Sequence, residues 1–357
     1  MMGGMPNINI TFKTQAATVS RRSGQGTVAI ILQDAAETAK GLHILKSVGD
    51  IPAVLGTENK EYIRRAFIGN VNRPSKVLLY VLAAAANNYT DALTELAKHF
   101  FDWLVAPPDV TAPLAGAVKT WIRTQRDDHD ALYKAVLPEL AADDEAIVNF
   151  VTDDIIVGEE TYSPGEYCSR IAGMLAGTPL RQSATYAILP EVSDIKRLAK
   201  DAMDTAVDAG KLLLFHDGVK VKVGRAVTSL TTTTSKSAQL KKIKITEALD
   251  LIKNDLRILM QDNYIGKFAN SYDNKCLLIT AILDYFKELE REGILQTGSA
   301  VAVDVDEQRT YLRNRGDDVS SLTDKQVKEA NTDEKVFLMA NIRILDAIED
   351  IALPISF

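Results

Sequence analysis

The sequence predicts an α/β N-terminal domain with a mostly parallel sheet, an α+β C-terminal domain with an antiparallel sheet, and an extended β-arm at each end of the chain. Short apolar runs alternate with amphipathic stretches in the first half, as in a sheet flanked by helices. The second half combines long amphipathic helices with alternating strands. At 357 residues the chain exceeds the roughly 250–300 residues of one core, so about two domains are expected.

The composition excludes several classes of protein. Apolar residues make up 46% and charged residues 25%, unlike a disordered or collagen-like chain. The net charge of −7 argues against a nucleic-acid partner. Two cysteines, Cys168 and Cys276, are too few for a disulfide framework and favour a reduced, cytosolic protein. No signal peptide is apparent, and the ten apolar residues of Val77–Ala86 fall short of the about 20 that span a bilayer, so no membrane insertion is expected.

The first-half elements are predicted from two kinds of pattern. Continuous apolar, β-branched runs predict strands buried on both faces, and apolar residues at helical spacing predict helices. The predicted strands are Thr27–Leu32, Val77–Leu82, Trp103–Val105, Tyr133–Leu137 and Ile147–Val151. The predicted helices are Asn59–Phe67, Thr90–Phe101 and Ala115–Arg126.

A capping box predicts the start of the next helix. Ser163 precedes Glu166 by three residues, and Pro164 stands at the first helical position. The helix is expected to end at Gly177, with the domain boundary in the polar stretch Thr178–Thr185. The predicted divisions are an N-terminal arm and linker at 1–26, domains at 27–180 and 181–345, and a C-terminal arm at 346–357.

The second half shows the patterns of a hairpin, helices and alternating strands. Lys211–Val227 is predicted to turn at Asp217-Gly218, and the Ser/Thr-rich stretch that follows is predicted to be a mobile loop. The remaining predicted elements are helices at Lys244–Met260 and Asp273–Arg291 and strands at Val301–Val305 and Lys335–Ile344.

The apolar residues near the C-terminus change phase. They occupy even positions in Val336–Ile344 and odd positions in Ile351–Phe357. A one-residue change of phase turns the apolar face over, which indicates two strands in different environments. The acidic elbow Asp346–Asp350 would join them, and a bulge within one sheet is the alternative.

Each end of the chain has one apolar face suited to adding a strand to a neighbouring sheet. A four-residue face contributes about 6–12 kcal/mol at about 1.5–3 kcal/mol per side chain, and association costs about 4–15 kcal/mol. A polymer whose subunits give and receive several arms overcomes this cost. The N-terminal arm carries Ile8, Ile10 and Phe12, and the C-terminal arm carries Ile351, Leu353, Ile355 and Phe357.

Motifs for nucleotide or metal chemistry are incomplete. Gly41–Ser47 ends like a P-loop but lacks the glycine before its lysine. Ser23–Gly26 precedes a strand, whereas a dinucleotide fingerprint follows one, and both segments are interpreted as turns. The four histidines are scattered, and Asp127–Asp130 is interpreted as a solvated helix end. No catalytic, cofactor-binding or metal-binding residue is assigned, and no cofactor is expected.

One basic cluster stands beside the predicted loop. Its members are Lys236, Lys241, Lys242 and Lys244. A solvated helix start is one interpretation, and electrostatic contact with an acidic partner surface is the other.

Five strings, in order along the chain, resemble the contractile tail sheath proteins of short-sheath myophages, defective prophages and R-type bacteriocins. They are Pro6–Phe12, Arg22–Val28, Ala172–Pro179, Tyr264–Lys275 and Val336–Asp350. The resemblance extends over essentially the whole chain, and the length is similar to that of the minimal sheaths of this family.

The resemblance implies a structural protein rather than an enzyme. Its subunits would stack as helically related hexameric rings around a tail tube and contract to drive the tube through a bacterial envelope. The arms would add strands to C-terminal-domain sheets of neighbouring subunits. The accepting strand would carry Val336, Leu338, Ile342 and Ile344.

The resemblance also implies partners and a location. The partners would be other copies of the chain, the tail tube protein, and baseplate and tail terminator proteins, with the lysine cluster as a candidate tube contact. The particle would assemble in the bacterial cytoplasm and be released on lysis as part of a phage tail or bacteriocin.

Without a fuel site, contraction would release free energy stored at assembly. Thr14–Gly26 and the acidic elbow would act as linkers that absorb the rotation of rigid subunits. Two alternatives stay open. One is the sheath of a related injection or secretion machine. The other is a cytosolic doubly wound enzyme with a dimerisation domain, although Gln33–Glu37, after the first strand, offers no cofactor loop.

Overall fold

A computed structural model describes residues 26–356 of the chain. The predicted N-terminal arm with Ile8, Ile10 and Phe12, and the last residue, Phe357, lie outside the described residues. The described chain forms two compact units. The larger contains residues 26–251 and 346–356, and the smaller contains residues 252–345.

The described strands are β1 (Thr27–Asp34), β2 (Gly41–Leu45), β3 (Lys76–Ala83), β4 (Trp103–Val105), β5 (Lys134–Pro138), β6 (Ile147–Phe150), β7 (Ile155–Val157), β8 (Glu160–Tyr162), β9 (Lys211–Leu212), β10 (Leu214–His216), β11 (Val221–Val223), β12 (Ala300–Val303) and β13 (Leu338–Asn341). The α-helices are α1 (Thr57–Ala66), α2 (Thr90–Leu96), α3 (Ala112–Asp128), α4 (Pro164–Ala176), α5 (Lys200–Asp208), α6 (Ile243–Asn263), α7 (Tyr272–Arg291), α8 (Val305–Arg315) and α9 (Asp324–Glu329).

A seven-stranded sheet in the order β2-β3-β1-β4-β5-β6-β9 forms the centre of the larger unit. Neighbouring strands pair in parallel, except that β2 runs antiparallel to β3 at one edge. Residues Val28–Leu32 of β1 are fully buried, as expected for a central parallel strand. The predicted mixed α/β fold with a mostly parallel sheet is confirmed.

Helices cover both faces of this sheet. On one face α1 and α4 bury Tyr62 and Tyr167 in one core, and on the other α2 and α3 bury Leu96 and Ile122 in a second core. α4 has the predicted capping box, in which the Ser163 side chain accepts from the Glu166 backbone N–H and the Glu166 side chain accepts from the Ser163 backbone N–H. The capping box and Gly177 therefore bound this helix as predicted.

Two first-half predictions are wrong. Gly41–Ser47 was predicted as a turn, but Gly41–Leu45 is the antiparallel edge strand β2. The helix predicted over Thr90–Phe101 ends at Leu96. The chain leaves the helical period there, so Phe100 is exposed, whereas Phe101 is buried and stacks on Tyr133 with ring centroids 4.0 Å apart.

The predicted hairpin forms, but it belongs to the larger unit and not to a separate second domain. β10 and β11 pair antiparallel, and the Asp217 backbone N–H bonds the Lys220 carbonyl across the turn. Just before the hairpin, β9 adds to the large sheet beside β6. Residues 181–251 therefore belong to the larger unit, whereas the sequence places a boundary within Thr178–Thr185.

The predicted Ser/Thr-rich loop is ordered at its start. Thr228, Ser229 and Leu230 are buried, and the Ser229 backbone N–H donates to the Ile147 carbonyl at the start of β6. These contacts attach the beginning of the segment to the large sheet, so the predicted mobility does not apply to these three residues.

The smaller unit contains the end of α6, then α7, α8 and α9, and an antiparallel pair of strands, β12 and β13. The long helices α6 and α7 occur where they were predicted. β13 extends only over Leu338–Asn341 instead of Lys335–Ile344. Ile344 forms an isolated bridge with Leu295 beyond the strand, so pairing continues without a regular ladder.

Candidate functional site

The β12–β13 sheet is the first candidate surface. Its register places Ala300 opposite Asn341 and Val303 opposite Leu338. Among the described residues this sheet has only two strands, so each strand has one edge that no described strand covers. Backbone groups along such an edge provide a template for another strand.

The four residues assigned to the accepting strand lie along this segment. Leu338 is in β13 and half-buried, and Val336, before the strand, is exposed. Ile342 and Ile344 follow the strand and are half-buried. The structure therefore places one of the four inside a regular strand and three on its extensions.

A polar cluster holds the chain that leads into β13. The Asn270 side-chain amide donates to Thr332 Oγ1 at 3.0 Å, and to the backbone carbonyls of Asp333 at 2.8 Å and Lys335 at 2.9 Å. The buried Lys275 ammonium donates to Thr332 Oγ1 at 3.2 Å and to Gln308 Oε1 at 3.3 Å. Burial lowers the pKa of Lys275. The string Tyr264–Lys275 therefore contains two residues that position the accepting segment.

The C-terminal segment is the second candidate surface. Its large apolar side chains are almost fully exposed: Ile351 is 82% exposed, Leu353 75% and Ile355 76%. No regular secondary structure is assigned to residues 345–356. A contiguous exposed apolar segment of this kind marks an interaction site in soluble proteins.

The acidic elbow Asp346–Asp350 is held against the larger unit. Glu349 Oε1 accepts from Thr185 Oγ1 at 2.6 Å and from Ser183 Oγ at 3.2 Å. Glu349 Oε2 lies 3.1 Å from Lys242 Nζ and 3.7 Å from Arg225 Nε. The phase change of the apolar residues indicated a change of environment at this point, but no sequence signal identified these partners.

The lysine cluster does not form one exposed surface. Lys236 pairs with Glu145, and Lys242 pairs with Asp346 at 2.5 Å. Lys244 is buried, which lowers its pKa, and its ammonium lies 3.5 Å from a backbone carbonyl. Only Lys241 remains as a half-exposed member with no such contact in the described chain.

A buried ionic cluster, not predicted from the sequence, fixes the first turns of α6 to the large sheet. Arg126 donates to both carboxylate oxygens of Asp250, at 2.8 and 2.9 Å, and Lys134 Nζ lies 3.4 Å from the same carboxylate. One turn earlier, Glu247 accepts from the Trp103 indole N–H at 2.8 Å. Burial raises the pKa of Glu247 to about 7, and the nearby Lys134 opposes this shift.

Glu247→Gln is expected to stabilise the protein at alkaline pH. The folded-state pKa of about 7 lies above the ordinary value of 4.5, so ionising Glu247 destabilises the folded state increasingly as pH rises from 4.5 to 7. At about 1.4 kcal/mol per pKa unit, the gain at pH 8 is up to about 3 kcal/mol, and it vanishes at pH 4. Denaturant unfolding across this pH range measures it. Glu334→Gln, at an exposed position, serves as the control, and an equal pH profile for Glu247→Gln and the wild type would contradict the expectation.

A cavity of about 600 Å³ lies at the carboxyl ends of β1, β3 and β4, where doubly wound enzymes bind ligands. Its lining includes Glu58, Asp109 and Glu166 but no lysine or arginine. The Glu166 carboxylate already occupies the start of α4 through the capping box. This lining is unsuited to a phosphate group. Within residues 26–356, no group of three or more His, Cys, Asp or Glu side chains is arranged to hold a metal ion.

Comparisons with known proteins agree over the whole chain. Residues 83–229 match the family described as "Phage tail sheath protein central domain", and residues 235–357 match the family described as "Phage tail sheath C-terminal domain". The tail sheath protein of Clostridium phage phiCD119 is 37% identical over 361 residues, covering 99% of this chain and 100% of the relative. The chain belongs to the phage tail sheath family. The resemblance inferred from its sequence strings is confirmed.

Solved structures show that the sheath protein has the fold of other sheath subunits. The sheath tail protein Lin1278 of Listeria innocua has a TM-score of 0.70 at 16% identity, covering 93% of this chain and 98% of that one. The helical sheath of the anti-feeding prophage in its contracted state has a TM-score of 0.68 at 16% identity, covering 99% of each chain. The sheath family is structural. Among the described residues of this member, no helix is both long and apolar enough to cross a membrane.

Proposed function

We propose that this sheath protein polymerises as stacked hexameric rings around a tail tube and contracts by releasing conformational free energy stored at assembly. Contraction drives the tube through a bacterial envelope, and the protein acts as a structural subunit without catalytic activity. The observation that carries the proposal is the exposed apolar C-terminal segment that follows the last ion pair of the acidic elbow.

The exposed segment supports strand exchange between subunits. Ile351, Leu353 and Ile355 alternate with other residues, so an extended backbone presents them on one face. Burying each side chain contributes about 1.5–3 kcal/mol. A neighbouring sheet with an uncovered edge supplies both this apolar contact and the backbone hydrogen bonds.

The β12–β13 sheet is the proposed acceptor. Its uncovered edges are open to another strand, and Asn270 and the buried Lys275 hold the segment that leads into β13. The N-terminal arm, with Ile8, Ile10 and Phe12, is the second proposed donor. An assembly in which every subunit gives two arms and accepts others forms a continuous mesh, in which each further contact is effectively intramolecular.

The ring geometry and the partners are proposed from the structural neighbours. A chain in the six-fold symmetrised baseplate of the anti-feeding prophage has a TM-score of 0.67 to this one, and it is covered to 99%. That assembly is a baseplate with six-fold symmetry, and the similar sheaths of the anti-feeding prophage and of the PVC extracellular contractile injection system are in a contracted state. The proposed partners of this chain are other copies of itself, a tail tube protein, and baseplate and tail terminator proteins, in a particle assembled in the bacterial cytoplasm.

Electron microscopy tests the proposal directly. Purified full-length protein, alone and with its tube protein, is expected to form hollow tubes with axial ridges and a six-fold end view in negative stain. A stable monomer or dimer at every concentration tested would reject the polymeric function and would favour the alternative of a dimeric enzyme.

Contraction is expected to need no nucleotide. Extended sheath treated with a mild concentration of guanidinium, after dialysis to remove nucleotides and divalent ions, should shorten and widen within minutes, because the denaturant lowers the barrier that holds the metastable state. Length measured in micrographs reports the change. ATP added to untreated sheath is the control. A strict requirement for ATP would show that the energy is not stored in the lattice.

A further inference from the structure

We propose that Glu349 is a clamp that fixes the C-terminal arm to the larger unit, and that the joint which adapts to a neighbouring subunit lies after residue 350. This inference rests on the proposed function, because it concerns the path of the arm toward another copy. In this proposal the acidic elbow is not a flexible linker but a rigid point from which the arm leaves the larger unit.

The clamp is anchored by hydroxyl groups on one side. The Glu349 side chain is only 6% exposed, whereas its neighbour Asp350 is 81% exposed. Thr185 Oγ1 donates to Glu349 and at the same time accepts from the Ala226 backbone N–H at 3.0 Å. Because this hydroxyl is oriented from both sides, it holds the carboxylate in one position.

Two cations anchor the other carboxylate oxygen. Lys242 lies immediately before α6, and Arg225 follows β11, so the partners of Glu349 come from separate segments of the larger unit. Lys242 also pairs with Asp346 at 2.5 Å, and Arg225 pairs with Asp350 at 2.6 Å. The cations in turn connect three acidic residues of the elbow.

Lys242 also ties together the two chain segments that lead to and from the smaller unit. The chain enters that unit through α6, directly after Lys242, and leaves it at residue 345, directly before Asp346. The Lys242–Asp346 pair therefore joins entry and exit on the side of the larger unit. An elbow held in this way moves with the larger unit as one body.

The chain beyond the clamp is different. No hydrogen bond or ion pair joins residues 351–356 to other described residues, and all six side chains are exposed. Breaking a nearly buried ion pair leaves an uncompensated charge, whereas rotating an exposed backbone does not. The first residues free to rotate are therefore Ile351 and Ala352.

Spin labels on the full-length subunit, below the concentration for assembly, locate the joint. Cysteines replace the half-buried Ala347 or the exposed Leu353 in a Cys276→Ser background, with Cys168 protected by burial. The label at 347 is expected to be restricted and the label at 353 mobile. In Glu349→Ala both should be mobile, whereas Glu159→Ala, at an exposed position away from the elbow, should leave the label at 347 restricted. Equal mobility at 347 and 353 without Glu349→Ala would overturn the clamp.

Assembly provides the second measurement. Glu349→Ala should raise the critical concentration for tube formation at least tenfold while the circular dichroism spectrum stays that of the folded wild type, and Glu159→Ala, at an exposed position away from the elbow, should change it less than twofold. Equal critical concentrations for the two variants would contradict the clamp. Deletion of residues 351–357 separates this result from failure of the proposed function, because tubes formed after that deletion would refute strand exchange itself.

A cross-link tests the elbow during contraction. Thr185→Cys and Glu349→Cys, joined in extended sheath by a short bis-methanethiosulfonate reagent that forms a disulfide with each thiol and releases sulfinate, replace the clamp with a covalent link. The cross-linked sheath is expected to contract to the same final length as the same variant left unlinked. Cross-linked sheath that stays extended while the unlinked variant contracts would show that the elbow is the moving joint.

Discussion

Deletion of residues 351–357 is expected to abolish polymerisation and to leave a folded subunit. The side chains of Ile351, Leu353 and Ile355 are at least three-quarters exposed, so their loss removes little from the stability of the subunit. The same residues supply about 4.5–9 kcal/mol of apolar burial in each subunit contact at about 1.5–3 kcal/mol per side chain. Because every subunit in the lattice donates this arm, the deletion removes the contact everywhere at once. Negative-stain microscopy and sedimentation measure the loss.

The arm deletion has two matched controls. Replacing the same three apolar residues with asparagine keeps the backbone and its length, and it is expected to weaken assembly nearly as much, because the apolar face is lost. Removal of Met1–Lys13 tests the N-terminal arm in the same way. An unchanged melting temperature shows that each variant is folded. Long tubes formed by the 351–357 deletion variant would refute the strand-exchange model.

The central sheet could be predicted from the sequence because its strands are marked locally. Trp103–Val105 is three apolar residues before Pro107-Pro108, and the structure has β4 at the same residues. The sequence of β2 has no comparable local pattern of apolar residues and strand-ending prolines. As an edge strand it leaves Ile44 half-exposed, and Gly41 begins it with φ +98°, a conformation typical of a turn. Local patterns therefore predict buried strands better than edge strands.

Helices without an apolar stripe were not predicted. α8 buries only two side chains, Gln308 and Leu312. Gln308 is buried as a polar residue, because its Oε1 accepts from the Lys275 ammonium. A periodic apolar pattern is absent from such a helix, so the pattern on which helix prediction depends gives no signal. Its start is nevertheless capped by Asp304, whose side chain accepts from the Glu307 backbone N–H at 3.0 Å.

The candidate surfaces were predicted in outline only. Alternation indicated the C-terminal arm, and the change of phase indicated the elbow, because both are local patterns. Thr185 and Glu349 are separated by 164 residues, and only the fold brings them together. The partners of the lysine cluster could not be predicted for the same reason, since Glu145 and Asp346 are distant in sequence from Lys236 and Lys242.

Asp250→Ala is expected to destabilise the sheath subunit by about 3–5 kcal/mol, the typical cost of leaving buried charges unpaired. Asp250 accepts both guanidinium hydrogen bonds of Arg126 and lies 3.4 Å from the buried Lys134. Without it, two positive charges lose their shared partner beside the large sheet, and the first turns of α6 lose their ionic attachment. Denaturant unfolding at pH 7 measures the change in the free energy of unfolding.

Asp128→Ala, at an exposed position near the end of α3, is the matched control and should change stability by less than about 0.5 kcal/mol. The combined variant Arg126→Leu, Lys134→Met, Glu247→Gln and Asp250→Leu separates the ionic from the packing contribution. Apolar replacement of a whole buried ion cluster is often neutral, so this variant should be more stable than Asp250→Ala alone. Equal stability of Asp250→Ala and Asp128→Ala would show that the cluster does not hold α6. The start of the C-terminal region would then depend on apolar contacts such as those of the buried Ile243 and Ala248.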